Sequence, residues 1–156
     1  MKKLMYALSP LLILSSCFWG SSEKKNTQAQ FLVMNVLDQN LYDDAHIKGS
    51  VNVPFADVVD YAERYSKDIP IVTYCSNYAC SASGVAAQML LERGFKHVWA
   101  YEGGMAEWYQ LNYPYEGPAK QAYLKAANPK PEHLDTSVPV ISSEELKEKM
   151  KEYNLV

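Results

Sequence analysis

The chain has 156 residues with a formal net charge of −3, 48% hydrophobic and 21% charged residues. That is enough for one domain with a substantial core plus tails, in an ordinary globular composition. The mild acidity excludes a broad basic surface of the kind that holds nucleic acid.

The N-terminus departs from that composition. Lys2 and Lys3 precede an apolar run from Leu4 to Leu14, the length of an export-signal core and shorter than a bilayer span. The run ends in Leu14-Ser15-Ser16-Cys17, which resembles the bacterial lipobox, where a cysteine is lipidated and becomes the new N-terminus. The resemblance implies a signal peptide over residues 1–16, a lipid on Cys17 and a membrane-anchored chain in the cell envelope, facing the periplasm. A soluble export signal and an uncleaved anchor are the alternatives. Residues 17–30 are polar and expected as a flexible tether. Phe18 stands where lipoproteins retained at the inner membrane carry Asp, which implies the outer membrane in an organism that has one.

From Phe31 to Val36 the chain is continuously apolar, the pattern of a central strand. Leu41 to Ala45 is expected as a short helix, and Ser50 to Val53 as a short strand closed by Pro54. Phe55, Val58, Val59, Ala62 and Tyr65 recur at helical spacing and predict a core-facing helix over residues 55–65. Ile69 to Tyr74, rich in β-branched residues, predicts a buried parallel strand. Ala82, Val85, Ala86, Met89 and Leu90 predict a helix after it, with Gly94 as the stop. Lys96 to Tyr101 reads as the last strand, and Gly103-Gly104 as a turn before a helix carrying Met105, Trp108, Tyr109 and Leu111. Residues 118–127 are expected as a further helix, broken by Asn128-Pro129-Lys130-Pro131, and Ser142 to Glu145 matches a capping box. Leu146, Met150 and Tyr153 form a narrow stripe, which predicts weak docking of the final helix.

This order puts Cys75 at the carboxyl end of a strand, one short loop before a helix N-terminus. Open α/β sheets place ligands there, and unpaired N–H groups with the helix dipole favour an anion. A thiolate at Cys75 is therefore expected to be stabilised, with a pKa below that of a free cysteine. The binding loop is Ser76, Asn77, Tyr78, Ala79, Cys80 and Ser81. Small side chains at Ser76, Ala79 and Ser81 leave backbone N–H groups able to curl round a sulfur as a nest, with the Ser81 and Ser83 hydroxyls as added donors.

The cysteine, the loop and the small-residue helix are followed by Gly94-Phe95-Lys96-His97-Val98 and Glu102-Gly103-Gly104-Met105-Ala106-Glu107-Trp108. Together they resemble the second half of a rhodanese domain. The stretch from Tyr42 to Pro54, with His46-Ile47-Lys48-Gly49 at its centre, is similar to that family's first signature. The resemblance covers residues 31–117. It implies an α/β fold: a single rhodanese-like domain with a mostly parallel central sheet flanked by helices, followed by a helical C-terminal extension over residues 118–156. It also implies a sulfurtransferase in which Cys75 takes sulfane sulfur from a donor, holds it as a persulfide and passes it to a thiol or cyanide. A binding-only loop is the alternative. Within the resemblance His46 ties a turn instead of catalysing, and Trp108 anchors a helix on the sheet.

Neither cofactor nor metal is expected. Two cysteines without a nearby second Cys or His pair do not complete a zinc tetrahedron, and His97 belongs to no ligand spacing. The family's Asp-x-Arg is replaced by Asn35-Val36-Leu37, which removes both halves of a buried ion pair together. Cys80 stands where family members commonly carry a basic residue, and Lys67 is the only Lys or Arg between Arg64 and Arg93. A phosphatase loop of this type is one residue longer and ends in arginine, so phosphoryl transfer is not expected. A dianion such as thiosulfate would meet only dipoles, which points to a small uncharged sulfur donor or a protein persulfide as partner. Export to a compartment that permits disulfides keeps two alternatives open. One is a thiol–disulfide device with Cys80 as redox partner of Cys75; the other is a catalytically silent rhodanese-like module.

Overall fold

A computed structural model of the protein describes residues 30–132 and 137–156. The expected signal peptide, Cys17 and all but the last residue of the expected tether lie outside the described residues. The strands are β1 (Leu32–Asn35), β2 (His46–Ile47), β3 (Val51–Asn52), β4 (Pro70–Tyr74), β5 (His97–Tyr101) and β6 (Tyr115–Glu116). The helices are α1 (Gln39–Asp44), α2 (Val58–Ala62), α3 (Ala82–Glu92), α4 (Gly104–Gln110) and α5 (Ser143–Glu152). Four strands form a parallel sheet in the order β3-β1-β4-β5, and β2 pairs antiparallel with β6 beside it.

Alternation along the central strands builds two cores. Leu32, Met34 and Ile71 face α2 and α3 with Val58, Ala62, Ala86 and Leu90. Val33, Val72 and Tyr74 face the other way, onto Met105 and Trp108 of α4 and Leu146 and Met150 of α5. Each large apolar side chain fully buried this way contributes about 1.5–3 kcal/mol relative to exposure. Trp108 is fully buried, as the resemblance implies, and its indole N–H donates to the Pro114 carbonyl at 2.8 Å. His46 stacks on the Tyr42 ring and its Nδ1 lies 2.8 Å from the Tyr42 carbonyl oxygen, so it ties the turn before β2.

Four local expectations fail. The helix read over residues 55–65 opens as a 3₁₀ turn (Phe55–Asp57) and is α-helical only over Val58–Ala62; Pro54 sets the entry angle, and Phe55 is left 38% exposed. On α3 the buried stripe is Ser83, Ala86, Ala87 and Leu90, while Val85 is 46% exposed. Residues 118–127 hold only a 3₁₀ turn, Ala122–Leu124, because the Asp44 carboxylate accepts the N–H groups of Lys120 and Gln121 and binds the segment as an extended strap. The last helix docks firmly: Leu146 and Met150 are fully buried, and Val140 bridges to Ala100 at the free edge of β5. The capping box at Ser142 and Glu145 is formed. Among the described residues no helix is long and apolar enough to cross a membrane.

Candidate active site

The site is assembled where β4 ends. Tyr74, the last β4 residue, is fully buried, and its hydroxyl accepts the Ile47 N–H and meets the Ser50 hydroxyl, which fixes the strand end from below. The next residue, Cys75, turns into the loop. Its carbonyl oxygen and that of Ser76 accept the N–H groups of Met105 and Ala106 at 2.9 and 2.8 Å, so the first turn of α4 pins the loop backbone. Gly104 permits that approach. A Cβ there would lie 2.7 Å from Asn77 N, Cys75 O and Ser76 C, and its φ is +61°. On the other side the Thr73 hydroxyl donates to the Ser83 carbonyl at 2.8 Å and joins the strand to the first turn of α3.

Both cysteines of the loop are free thiols; Cys75 is buried and Cys80 partly exposed. The Cys75 sulfur lies 3.1 Å from the Cys80 carbonyl oxygen and 3.4 Å from the Ser83 hydroxyl. The Cys80 sulfur meets the Cys75 thiol and the N–H groups of Ala82 and Ser76. With the Cys75 proton as the main cause, these donors hold Cys80 at about 5 against an ordinary 9.0. Cys75 is pushed up instead, first because its proton is committed to Cys80 and then because burial opposes its charge. The charge of the pair therefore rests on Cys80, not on Cys75 as the strand-end position predicts. An anion-stabilising loop is present, but its lowered thiol is the second cysteine.

The N–H groups expected to line the nest divide into two sets. Those of Ser76 and Ala82 face Cys80, and that of Ser83 faces Cys75. Three more are occupied: Tyr78 N–H by the Asn128 side chain, Ala79 N–H by the Asn77 side chain, and Cys80 N–H by the Asn77 carbonyl. Ser81 is exposed and makes no side-chain cap, although its carbonyl accepts the Val85 N–H. The Tyr78 and Tyr101 hydroxyls both donate to Glu107, each at 2.8 Å, and lock the loop to α4.

Three site features have no counterpart in the sequence reading. Asn128 reaches back from the extension, with Oδ1 on Tyr78 N–H and Nδ2 on Gly103 O, each at 3.1 Å. Glu102 is buried with Oε1 unpartnered among the described residues. Its carboxyl is raised by burial, opposed by the Ser83 hydroxyl and reinforced by the nearby Cys80 sulfur. The Tyr123 hydroxyl is buried without a partner among the described residues, and burial pushes it up to about 12. The letters of the Glu102 motif were visible; nothing in the sequence marked Asn128 or Tyr123. A cleft of about 260 Å³ opens beside the loop, with Tyr78, Glu102, Glu107 and Lys130 on its walls. No cluster of metal-ligating side chains occurs among the described residues.

Comparison with known proteins agrees with this geometry. The model of the rhodanese-like domain matches residues 18–111. A thiosulfate sulfurtransferase GlpE of Coxiella burnetii is 34% identical over 77 residues, 49% of this chain and 70% of that protein. Its counterpart in Shewanella oneidensis is 30% identical over 91 residues, 58% of this chain and 84% of that protein. A rhodanese-like domain from Anabaena superposes with a TM-score of 0.52 at 32% identity, over 56% of this chain and 92% of that domain. Asn128 and Tyr123 lie beyond the matched region. With the strand order, the loop and the motifs all in place, the chain belongs to the rhodanese-like domain family.

Proposed function

We propose that the protein is a sulfurtransferase that moves sulfane sulfur through a persulfide on Cys75 to a thiol or cyanide acceptor. The observation that carries this reading is the placement of Cys75 at the end of β4, with Ser83 N–H and hydroxyl against its sulfur and α4 pinning its backbone. The Cys75 sulfur attacks the outer sulfur of a donor persulfide or polysulfide as its proton leaves, and the donor departs as a thiolate that takes up that proton. The outer sulfur of the new Cys75 persulfide carries the charge that the loop dipoles favour. Cys80 in place of a basic residue favours a small uncharged donor or a protein persulfide over thiosulfate.

The test is turnover of the reduced protein with inorganic polysulfide as donor and cyanide as acceptor, read as thiocyanate. The expected result is turnover in the wild type and none in Cys75→Ser. A wild type that turns over no faster than the uncatalysed background, while folded and reduced, would favour the silent binding module.

We also propose that Cys17 carries a lipid anchor. The lipobox-like Leu14-Ser15-Ser16-Cys17 supports a chain held by lipid in the cell envelope and facing the periplasm, at the outer membrane where one exists. Cys17→Ala is expected to leave the membrane fraction or to stall in processing. An unchanged mature mass and unchanged membrane partition would remove the proposal.

A further inference from the structure

Sulfur transfer as described uses one of the two thiols in the loop. The other is poised against it. The Cys75 sulfur lies 3.1 Å from the Cys80 carbonyl oxygen, and the two side chains meet sulfur to sulfur. Cys80 is the more exposed of the two, and its sulfur faces the N–H groups of Ser76 and Ala82, an arrangement that suits an anion. A nucleophilic sulfur thus stands beside the inner sulfur of any persulfide that Cys75 carries.

We infer that the protein has a second activity, reductive release of sulfide from its own persulfide, with Cys80 as the attacking group. This rests on the reading that Cys75 holds the persulfide. The Cys80 thiolate attacks the Sγ of Cys75 in its Cys75–S–SH form. A Cys80–Cys75 sulfur–sulfur bond forms, the bond from Cys75 Sγ to the outer sulfur breaks, and the outer sulfur leaves with the electron pair as HS⁻. The sulfane sulfur gains two electrons, and the two cysteine sulfurs lose two between them. No outside oxidant or reductant enters the step. Returning the disulfide to the dithiol needs an external dithiol reductant. Attack falls on the inner sulfur because that is the atom Cys80 faces; attack on the outer one would only carry the persulfide to Cys80.

The two activities compete for one intermediate. An abundant acceptor thiol takes the sulfur from Cys75 and leaves both cysteines reduced. A scarce acceptor leaves the persulfide to Cys80, and each chain then yields one sulfide and stops until reduced.

The experiment is a single turnover of full-length, reduced protein freed of reductant, mixed with one equivalent of glutathione persulfide. Sulfide is trapped as its bimane derivative, and the loop peptide is weighed over time. The wild type is expected to gain one sulfur mass transiently. It should then lose it together with two hydrogens while releasing one sulfide per chain above the donor-only blank. Cys80→Ser and Cys80→Ala are expected to keep the added sulfur and release no sulfide burst. A wild type that retains the added sulfur beside a free Cys80, or a burst undiminished in both Cys80 variants, would overturn the inference while leaving the persulfide reading standing. Absence of added sulfur from both Cys80 variants, with their folded content intact, would overturn the persulfide reading and this inference together.

Discussion

Asn128 holds Tyr78 by its backbone: the side-chain amide accepts the Tyr78 N–H and donates to the Gly103 carbonyl oxygen, each at 3.1 Å. One residue beyond the family match thereby joins the Cys75 loop to the turn before α4. The C-terminal segment is in this sense part of the site wall.

Asn128→Ala should cost about 1–3 kcal/mol in denaturant unfolding, because two partly buried backbone groups lose their partner. It should raise the KM for the sulfur donor more than it lowers kcat, since the loop loosens while Cys75 stays in place. Asn128→Asp keeps the acceptor for Tyr78 N–H and should recover part of the KM effect. Wild-type kinetics in Asn128→Ala would show that the clasp is incidental.

The close packing at Gly104 makes a sharper claim. Gly104→Ala drives a methyl to within 2.7 Å of three backbone atoms of the loop at a φ of +61°, and backbone cannot swing aside as a side chain does. A loss on the order of 3 kcal/mol is expected, with sulfur transfer abolished in whatever remains folded. Gly94→Ala is the control: its φ is +84° but a Cβ there meets nothing within 4 Å, so only conformational strain of about 1–2 kcal/mol applies. Equal effects at the two positions would contradict the packing argument.

Asp44 binds the strap that carries Asn128. Its carboxylate accepts Lys120 N–H at 3.0 and 3.1 Å and Gln121 N–H at 3.0 Å. Asp44→Ala should destabilise by about 1.5–3 kcal/mol per lost charge-assisted bond at most. Limited proteolysis should then cut within residues 118–127 before the sheet is touched. An unchanged cleavage pattern would mean that Leu124 burial and the Gln110 bonds to the Leu124 and Ala126 carbonyls hold the strap without the Asp44 carboxylate.

The lowered Cys80 thiol fixes a pH dependence. Its folded value of about 5 lies below the ordinary 9.0, so between those limits the unfolded chain binds one more proton than the folded one and stability rises with pH. The contribution is complete near pH 9 and gone below pH 5. Above that window Cys75, held protonated in the fold, reverses the slope. Cys80→Ser should flatten the rise in denaturation midpoint across this range, measured under reduction. Iodoacetamide should modify Cys80 before Cys75 from just above pH 5 upward; a first adduct on Cys75 would reverse the assignment of charge within the pair.

The sheet was legible because its strands are short, apolar and separated by turn residues, and each of Leu32–Asn35, Pro70–Tyr74 and His97–Tyr101 falls inside the segment read for it. The loop was legible for the same reason, being the polar gap between a buried strand and a small-residue helix. What failed was decided by contacts distant in sequence. Residues 118–127 have helical composition, yet Asp44 claims their amides from across the fold. Val85 and Ala86 are equally apolar on paper, and only the packing of α3 on the sheet decides which is buried. The charge distribution of the thiol pair was hidden likewise, since the strand-end argument treats Cys75 alone, and the Cys80 side chain folds back to accept a hydrogen bond from its thiol.

Peptide mapping of the sulfur-loaded protein decides whether Cys75 carries the transferred sulfur. Cys80→Ser, loaded with inorganic polysulfide and cleared of excess, should carry one added sulfur on Cys75, removable by cyanide, while Cys75→Ser should carry none. An added sulfur found on Cys80 in Cys75→Ser, or no added sulfur in folded Cys80→Ser, would contradict the account.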